Sequence, residues 1–283
     1  IALYRAKNAG RNRCCFFNAE MQVEVVTTKR CADEILTGLD RGEFFPVYQL
    51  QFDARTHDIT GLEALARWRH PQRGVIAPDS FLKVAEDLNA VSRIDRLVLE
   101  QALADMAEWR RRGLGVPRVS VNVSALRLRD DDLVPSLKTL AIEPGTLSFE
   151  LLESIFLDEQ DDLVSWNIDQ IRELGIGIDI DDFGTGHASI VGLLNLRPNR
   201  LKIDRQLVAP IVQSPQQRRL VASIVEIGKS QGIEVLAEGV ETLEHARILA
   251  ELGADMLQGY YFARPMPAAD ITALVERQER RTA

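Results

Sequence analysis

The sequence predicts an α/β fold, a closed TIM-like (β/α)8 barrel whose first strand runs antiparallel to the second. Three observations carry that expectation. From residue 118 to residue 280, short apolar runs alternate with amphipathic helical stretches, the pattern of a mostly parallel sheet covered by helices. Eight strand-like runs can be counted, which suits closure better than an open sheet, and no G-x-G-x-x-G follows a strand to support a dinucleotide fold. Polar residues stand at the ends of seven successive runs: Glu63, Asn122, Glu150, the pair Asp181-Asp182, Lys202, Glu238 and Gln258. A β/α barrel gathers such strand ends in one basin.

Residues 28–42 read as a helix with Ile35, Leu36 and Leu39 on one face. PVYQLQF, at 46–52, reads as a strand, and a short turn through Thr56, His57 and Asp58 leads to the strand carrying Glu63. So short a connection makes the two antiparallel. Pro78 starts a helix through Asn89, and a longer one covers residues 92–112 and stops at Gly113. The expected strands then lie at 118–123, 147–152, 176–180, 200–203, 234–237 and 255–258. Helices are expected at 130–141, 159–174, near 187–195, 215–231, 241–252 and 268–280. Pro215 and Pro267 fit helix starts; Gly175, Gly232 and Gly253 fit helix ends. The first 22 residues differ: ALYRAKNAGRNR reads as a basic helix ending at Gly10, followed by CCFF as a short strand.

With 283 residues, 46% of them hydrophobic, the chain suits one barrel-sized domain with a short extension, or two smaller domains. No apolar run reaches the ~18 residues of a membrane span, and no signal peptide is visible. The chain starts at Ile1 rather than Met, so a longer parent protein is expected. Cys14, Cys15 and Cys31 form neither a disulfide framework nor a metal motif, which suits a reducing cytoplasm. A net charge of −8 argues against a DNA or RNA polymer as partner. An anionic small molecule stays open if metal ions reverse the sign locally.

The strand-end residues divide by chemistry. Asp181-Asp182 ends a strand and precedes FGTG; two carboxylates there can serve two metals, or simply make a turn and a helix cap. A DFG also occurs in kinases, but no HRD, VAIK or Gly-rich phosphate loop accompanies it. Glu63 lies in an apolar strand, where a carboxylate needs a cation or a shared proton; Arg67 offers a salt bridge as the alternative. Asn122 follows Val121 at a strand end, and Glu150 faces inward while Glu153 belongs to the following loop. Lys202 needs carboxylate partners if buried. Glu238 and Glu241 bracket Gly239-Val240, with helix capping as the alternative for Glu241, and Gln258 precedes Gly259-Tyr260-Tyr261. His57, His70, His187 and His245 show no zinc spacing. Oxygen ligands alone suit Mg²⁺ or Mn²⁺.

Taken in order, Glu63-Ala64-Leu65, NVS, ExxES, DDFGTG, KIDR, EGVET and QGYYFARP resemble the EAL-domain family of bacterial cyclic di-GMP phosphodiesterases over roughly residues 28–280. The resemblance implies hydrolysis of cyclic di-GMP to linear 5′-pGpG by a water that divalent metal activates. It implies two ions, Mg²⁺ or Mn²⁺. Glu63, Asn122, Glu150 and Asp181 match the ligands of one; Asp181, Asp182 and Glu238 match those of the other. Lys202 matches the lysine that positions the attacking water. Arg67 matches a phosphate contact, Gln49 and Leu65 match contacts near a guanine, and Glu241 and Gln258 match supporting pocket residues. Glu153 matches the acid that steadies the loop at 183–189. Leu50, Leu152, His187 and Ala188 depart from common family residues without removing a ligand; Leu152 and His187 bear on the tuning of that loop. A non-catalytic cyclic di-GMP receptor is the alternative, although such proteins typically lose a ligand, the lysine or the loop acid. Residues 1–22 resemble the end of a GGDEF (diguanylate cyclase-like) domain plus linker, which implies such a domain upstream and places the EAL domain at 23–283. The sequence permits a homodimer built near the DDFG loop, and a membrane tether upstream.

Overall fold

The computed structural model describes residues 19–153, 155, 162–184, 192–193 and 196–282. Among them, nine strands form one sheet: β1 Phe44–Asp53, β2 Ile59–His70, β3 Gly74–Ile76, β4 Val119–Asn122, β5 Leu147–Leu152, β6 Gly177–Phe183, β7 Arg200–Ile203, β8 Glu234–Ala237 and β9 Met256–Leu257. Their order is β1-β9-β8-β7-β6-β5-β4-β2-β3, and β1 also pairs with β2. Eight strands therefore close on themselves, and β3 is a flap on β2 outside the ring. Strand β1 is antiparallel to both neighbours, as its short connection to β2 requires. That connection is tied by the Asp53 carboxylate, which accepts the N–H groups of Arg55 and Thr56 at 2.8 Å each.

Helices cover the outside. Val91–Arg111 buries Val91, Ile94, Val98, Ala102, Met106 and Trp109, spaced as one helical stripe. Pro215–Ser230 starts with Pro215 in its first turn and Ser214 accepting from the Gln217 N–H. Leu243–Leu252 ends at Gly253, left-handed at φ 92°. The apolar core lies between these helices and the outward strand residues, among them Val121, Phe149, Leu151, Ile178, Leu201, Ile203 and Val235, all buried. No helix among the described residues is long and apolar enough to cross a membrane.

The strands expected at 147–152, 200–203 and 234–237 form with those bounds. Others need correction. The expected helix 28–42 begins earlier and spans Ala19–Asp40, running through the expected domain boundary after residue 22. The helix expected at 130–141 is shorter, Leu133–Lys138, and a short helix that was not expected, Ala125–Leu128, precedes it. Asp130 divides them: its carboxylate takes the Asp132 N–H at 2.9 Å and Arg127 at 2.7 Å, fixing a turn. The expected helix from Pro78 to Asn89 is a 3₁₀ turn, Pro78–Ser80, and then Leu82–Asp87. Phe81 interrupts it at φ −137°, its ring buried against Phe44 and Trp68. The basic helix and CCFF strand expected within residues 1–18, and most of the helix near 187–195, lie outside the described residues.

Candidate active site

Period two along each strand sends the expected residues into the lumen at one mouth of the barrel. Glu63 does not close its strand; β2 continues to His70. It does sit where β2 parts from β4, whose pairing ends at Ala64–Val121, so it still faces the mouth. Directly across β1, Gln49 pairs with it.

Asp181 and Asp182 are adjacent, and an ideal strand would send them to opposite faces. The register of β6 against β7 shifts between Ile180 and Phe183, and Asp182 takes φ 56°. That irregularity turns both carboxylates into one basin, as bulges beside sites do. Glu238 follows β8 at the left-handed Gly239, φ 65°, where a Cβ would lie 2.4 Å from that of Arg205. Gln258 precedes Gly259, where a Cβ would lie 2.2 Å from the Val240 carbonyl oxygen. The segments that follow β8 and β9 thus press together beside the site.

Lys202 is its centre. The side chain is fully buried, with Nζ at 2.7 Å from Glu150 Oε2, 2.8 Å from Glu238 Oε1, 3.0 Å from Asp181 Oδ1 and 3.5 Å from Glu63 Oε2. Asn122 Nδ2 donates to Glu63 Oε1 at 3.0 Å and Glu150 Oε2 at 3.4 Å. Gln258 Nε2 donates to Glu63 Oε2 at 2.5 Å and to Gln49 Oε1 at 3.4 Å. Arg67 is not the salt-bridge partner of Glu63; its Nη1 donates to the Ala66 carbonyl at 2.8 Å. Arg67 and Leu65, both half-buried, follow Glu63 on the same face of β2. Glu241 is exposed, and the next helix is capped by Thr242 instead, whose side chain accepts the His245 N–H. Glu153 Oε2 accepts the Gly184 N–H at 2.8 Å, at the start of the loop after β6.

The electrostatics follow from too many acids in too little water. Glu63, Glu150 and Asp181 form one triad, and Asp181, Asp182 and Glu238 another; within each, one oxygen per residue lies within 4.8 Å of the rest. One ammonium faces them all. Burial, with repulsion from Asp181 and Glu63 and against the pull of Lys202, pushes Glu238 up to about 8. Burial and then Asp181 push Asp182 up to about 6, and burial with Glu63 raises Glu150 well above the ordinary range. Glu63 goes the other way: burial opposes ionisation, but Lys202 and the Gln258 and Asn122 amides outweigh it. Burial alone would depress Lys202, and its four acidic neighbours raise it instead. Such a cluster takes up protons or hard cations. Carboxylates plus the Asn122 amide, with no His or Cys ligand in either triad, are a donor set that could hold a divalent ion of the Mg²⁺ or Mn²⁺ kind.

Strand-end reading missed the layer beneath. Ser120, Ser148, Asp179 and Arg200 are buried two residues before Asn122, Glu150, Asp181 and Lys202, and Gln51 lies two residues after Gln49 on the reversed strand. Their period-two spacing was the available signal.

The EAL domain model matches residues 32–265. The bifunctional diguanylate cyclase/cyclic di-GMP phosphodiesterase MucR of Pseudomonas aeruginosa is 35% identical over 279 residues, covering 97% of this chain. The cyclic di-GMP phosphodiesterase PdeR of Escherichia coli is 34% identical over 271 residues, covering 94%. The chain spans 40% of the length of each of these relatives. A solved structure, the PaMucR phosphodiesterase in its c-di-GMP complex, superposes with a TM-score of 0.80 at 34% identity, covering 86% of this chain and 99% of that one. Barrel, acid-lined mouth and family match agree: this chain belongs to the EAL-domain family.

Proposed function

We propose that the domain is a metal-dependent phosphodiesterase that hydrolyses cyclic di-GMP to linear 5′-pGpG. The observation that carries it is the meeting of both carboxylate triads on Lys202 at the mouth of an EAL barrel. The relatives' names and the c-di-GMP complex of a 34% identical structure support the choice of substrate. Glu63, Asn122, Glu150 and Asp181 would hold one Mg²⁺ or Mn²⁺ ion; Asp181, Asp182 and Glu238 would hold a second. When bound, such ions supply Lewis acidity and a water of lowered pKa.

The chain's own residues do the rest. Lys202 Nζ, a permanent cation amid the acids, orients the attacking water and offsets negative charge that builds on the phosphoryl oxygens. Water oxygen bonds to phosphorus, the bond from phosphorus to the ribose 3′-oxygen breaks, and the water's proton ends on that oxygen. Gln49, Leu65, Arg67, Glu241 and Gln258 would line the nucleotide pocket, with Arg67 toward a phosphate. Glu153 would steady the loop after β6 through the Gly184 N–H. Residues 1–22 we read as the tail of an upstream GGDEF-type domain, in keeping with the bifunctional name of MucR.

The test is incubation of the purified domain with cyclic di-GMP in Mg²⁺, Mn²⁺, Ca²⁺ or EDTA, resolved by chromatography. pGpG should form with Mg²⁺ or Mn²⁺ and not with EDTA. Ca²⁺ should inhibit, because its longer, looser coordination misplaces the water. Tight binding without cleavage in any metal would make the domain a receptor instead.

A further inference from the structure

Under the proposed cation site, the lumen holds a chain of hydrogen bonds whose direction is dictated from one end. Arg200 is fully buried and carries donors only. Its Nη1 donates to Gln51 Oε1 at 3.0 Å. That fixes the Gln51 amide: with its oxygen on Arg200, its nitrogen faces Ser120, and Nε2 lies 3.5 Å from Ser120 Oγ. This contact is the longest of the chain. Ser120 then has its oxygen offered a donor, and its single proton points to Glu150 Oε1 at 2.5 Å rather than to the Leu62 carbonyl at 3.4 Å. Gly61 leaves the room this needs, since a Cβ there would lie 3.1 Å from Gln51 Oε1. The two Glu150 oxygens are therefore divided: Oε1 is held toward the floor, while Oε2 faces Lys202 and Asn122.

We propose that Ser120, directed by Gln51 and Arg200, is a positioning residue that presents Glu150 to the cation through Oε2. It touches neither substrate nor metal. Partners of this kind typically change metal affinity by about 10–100-fold. The inference rests on the metal-dependent reading above, so its test is made first on Mn²⁺ alone, without substrate.

Mn²⁺ titrations followed by electron paramagnetic resonance would compare wild type, Ser120→Ala and Gln51→Leu, each with its melting temperature in EDTA. Ser120→Ala should weaken Mn²⁺ binding by about 10–100-fold. Gln51→Leu, which frees the Ser120 proton to turn to Leu62, should weaken it in the same direction by less. In turnover assays the Mn²⁺ needed for half-maximal rate should rise in parallel, and saturating Mn²⁺ should restore kcat, a split that loss of packing would not produce. Ser120→Ala binding Mn²⁺ within about twofold of wild type, well below the usual effect, would overturn the assignment. Wild type that binds no Mn²⁺ would overturn it together with the cation reading. Wild type that binds Mn²⁺ without hydrolysing cyclic di-GMP would remove the phosphodiesterase reading, and the Mn²⁺ titrations of the variants would still decide this one.

Discussion

Lys202 and Glu63 play opposite parts in the charge balance, and substitution should separate them. Glu63 is one acid among many, so Glu63→Ala relieves repulsion while deleting a proposed ligand. Turnover should vanish while circular dichroism and melting stay near wild type; near-normal activity would sink the metal assignment. Among the described residues, Lys202 is the one ammonium against the triads. Lys202→Met should cost about 3–5 kcal/mol in metal-free urea melts near neutral pH, the usual cost of stranding buried charge. At about pH 5 the loss should shrink, because Glu63, which Lys202 holds ionised, takes up a proton at less cost there once the ammonium is gone. An equal loss at both pH values would mean that Lys202 stabilises by packing.

Elements explain why the site lies where it does, and why part of it was hidden. Strands β5, β7 and β8 are short apolar runs bounded by turn residues, so their bounds could be read directly. The division at Asp130 could not, because a run of aspartates reads equally as solvated helix or as turn until Arg127 is seen to hold one of them. Glu63 was legible as a site residue although its strand runs on, because a carboxylate in an apolar run is costly wherever it falls. Ser120, Ser148 and Gln51 were not, since small or neutral polar residues inside strands carry no such penalty signal. The irregularity in β6 invites its own test. Asn tolerates the left-handed region as Asp does, so Asp182→Asn should keep the fold and lower kcat/KM by more than the ~10–100-fold that outer partners cost. Gly259→Ala should behave in reverse. Its Cβ meets backbone, so about 1–3 kcal/mol of stability should go with the strain, read by melting, and Gln258 should shift with it.

Whole-molecule stability should depend on pH and on divalent metal together. Glu238 and Asp182 have folded pKa values of about 8 and about 6, above their ordinary values. Their contribution is therefore full below about pH 4 and is lost as pH rises through about 6 and about 8. Glu63 has the opposite sign, but its window lies below its ordinary value of 4.5. In EDTA the melting temperature should fall from about pH 5 to about pH 9. Added Mg²⁺ or Mn²⁺ displaces those protons, so its stabilising increment should widen over the same range; an increment independent of pH would place the ion elsewhere. The reversed first strand has a further consequence. Phe44 pairs with Trp68, at the mouth end of β2, so the chain enters the barrel on the side of the acid-lined mouth. It leaves along Ala268–Thr282, where Thr272 bonds Trp109 near the floor end of the long helix. The domain is thus polarised like a tool with a handle at one end. A fusion or optical label joined to the far end of Ala268–Thr282 should stay clear of the acid-lined mouth, whereas torque delivered through Ala19–Asp40 arrives beside it.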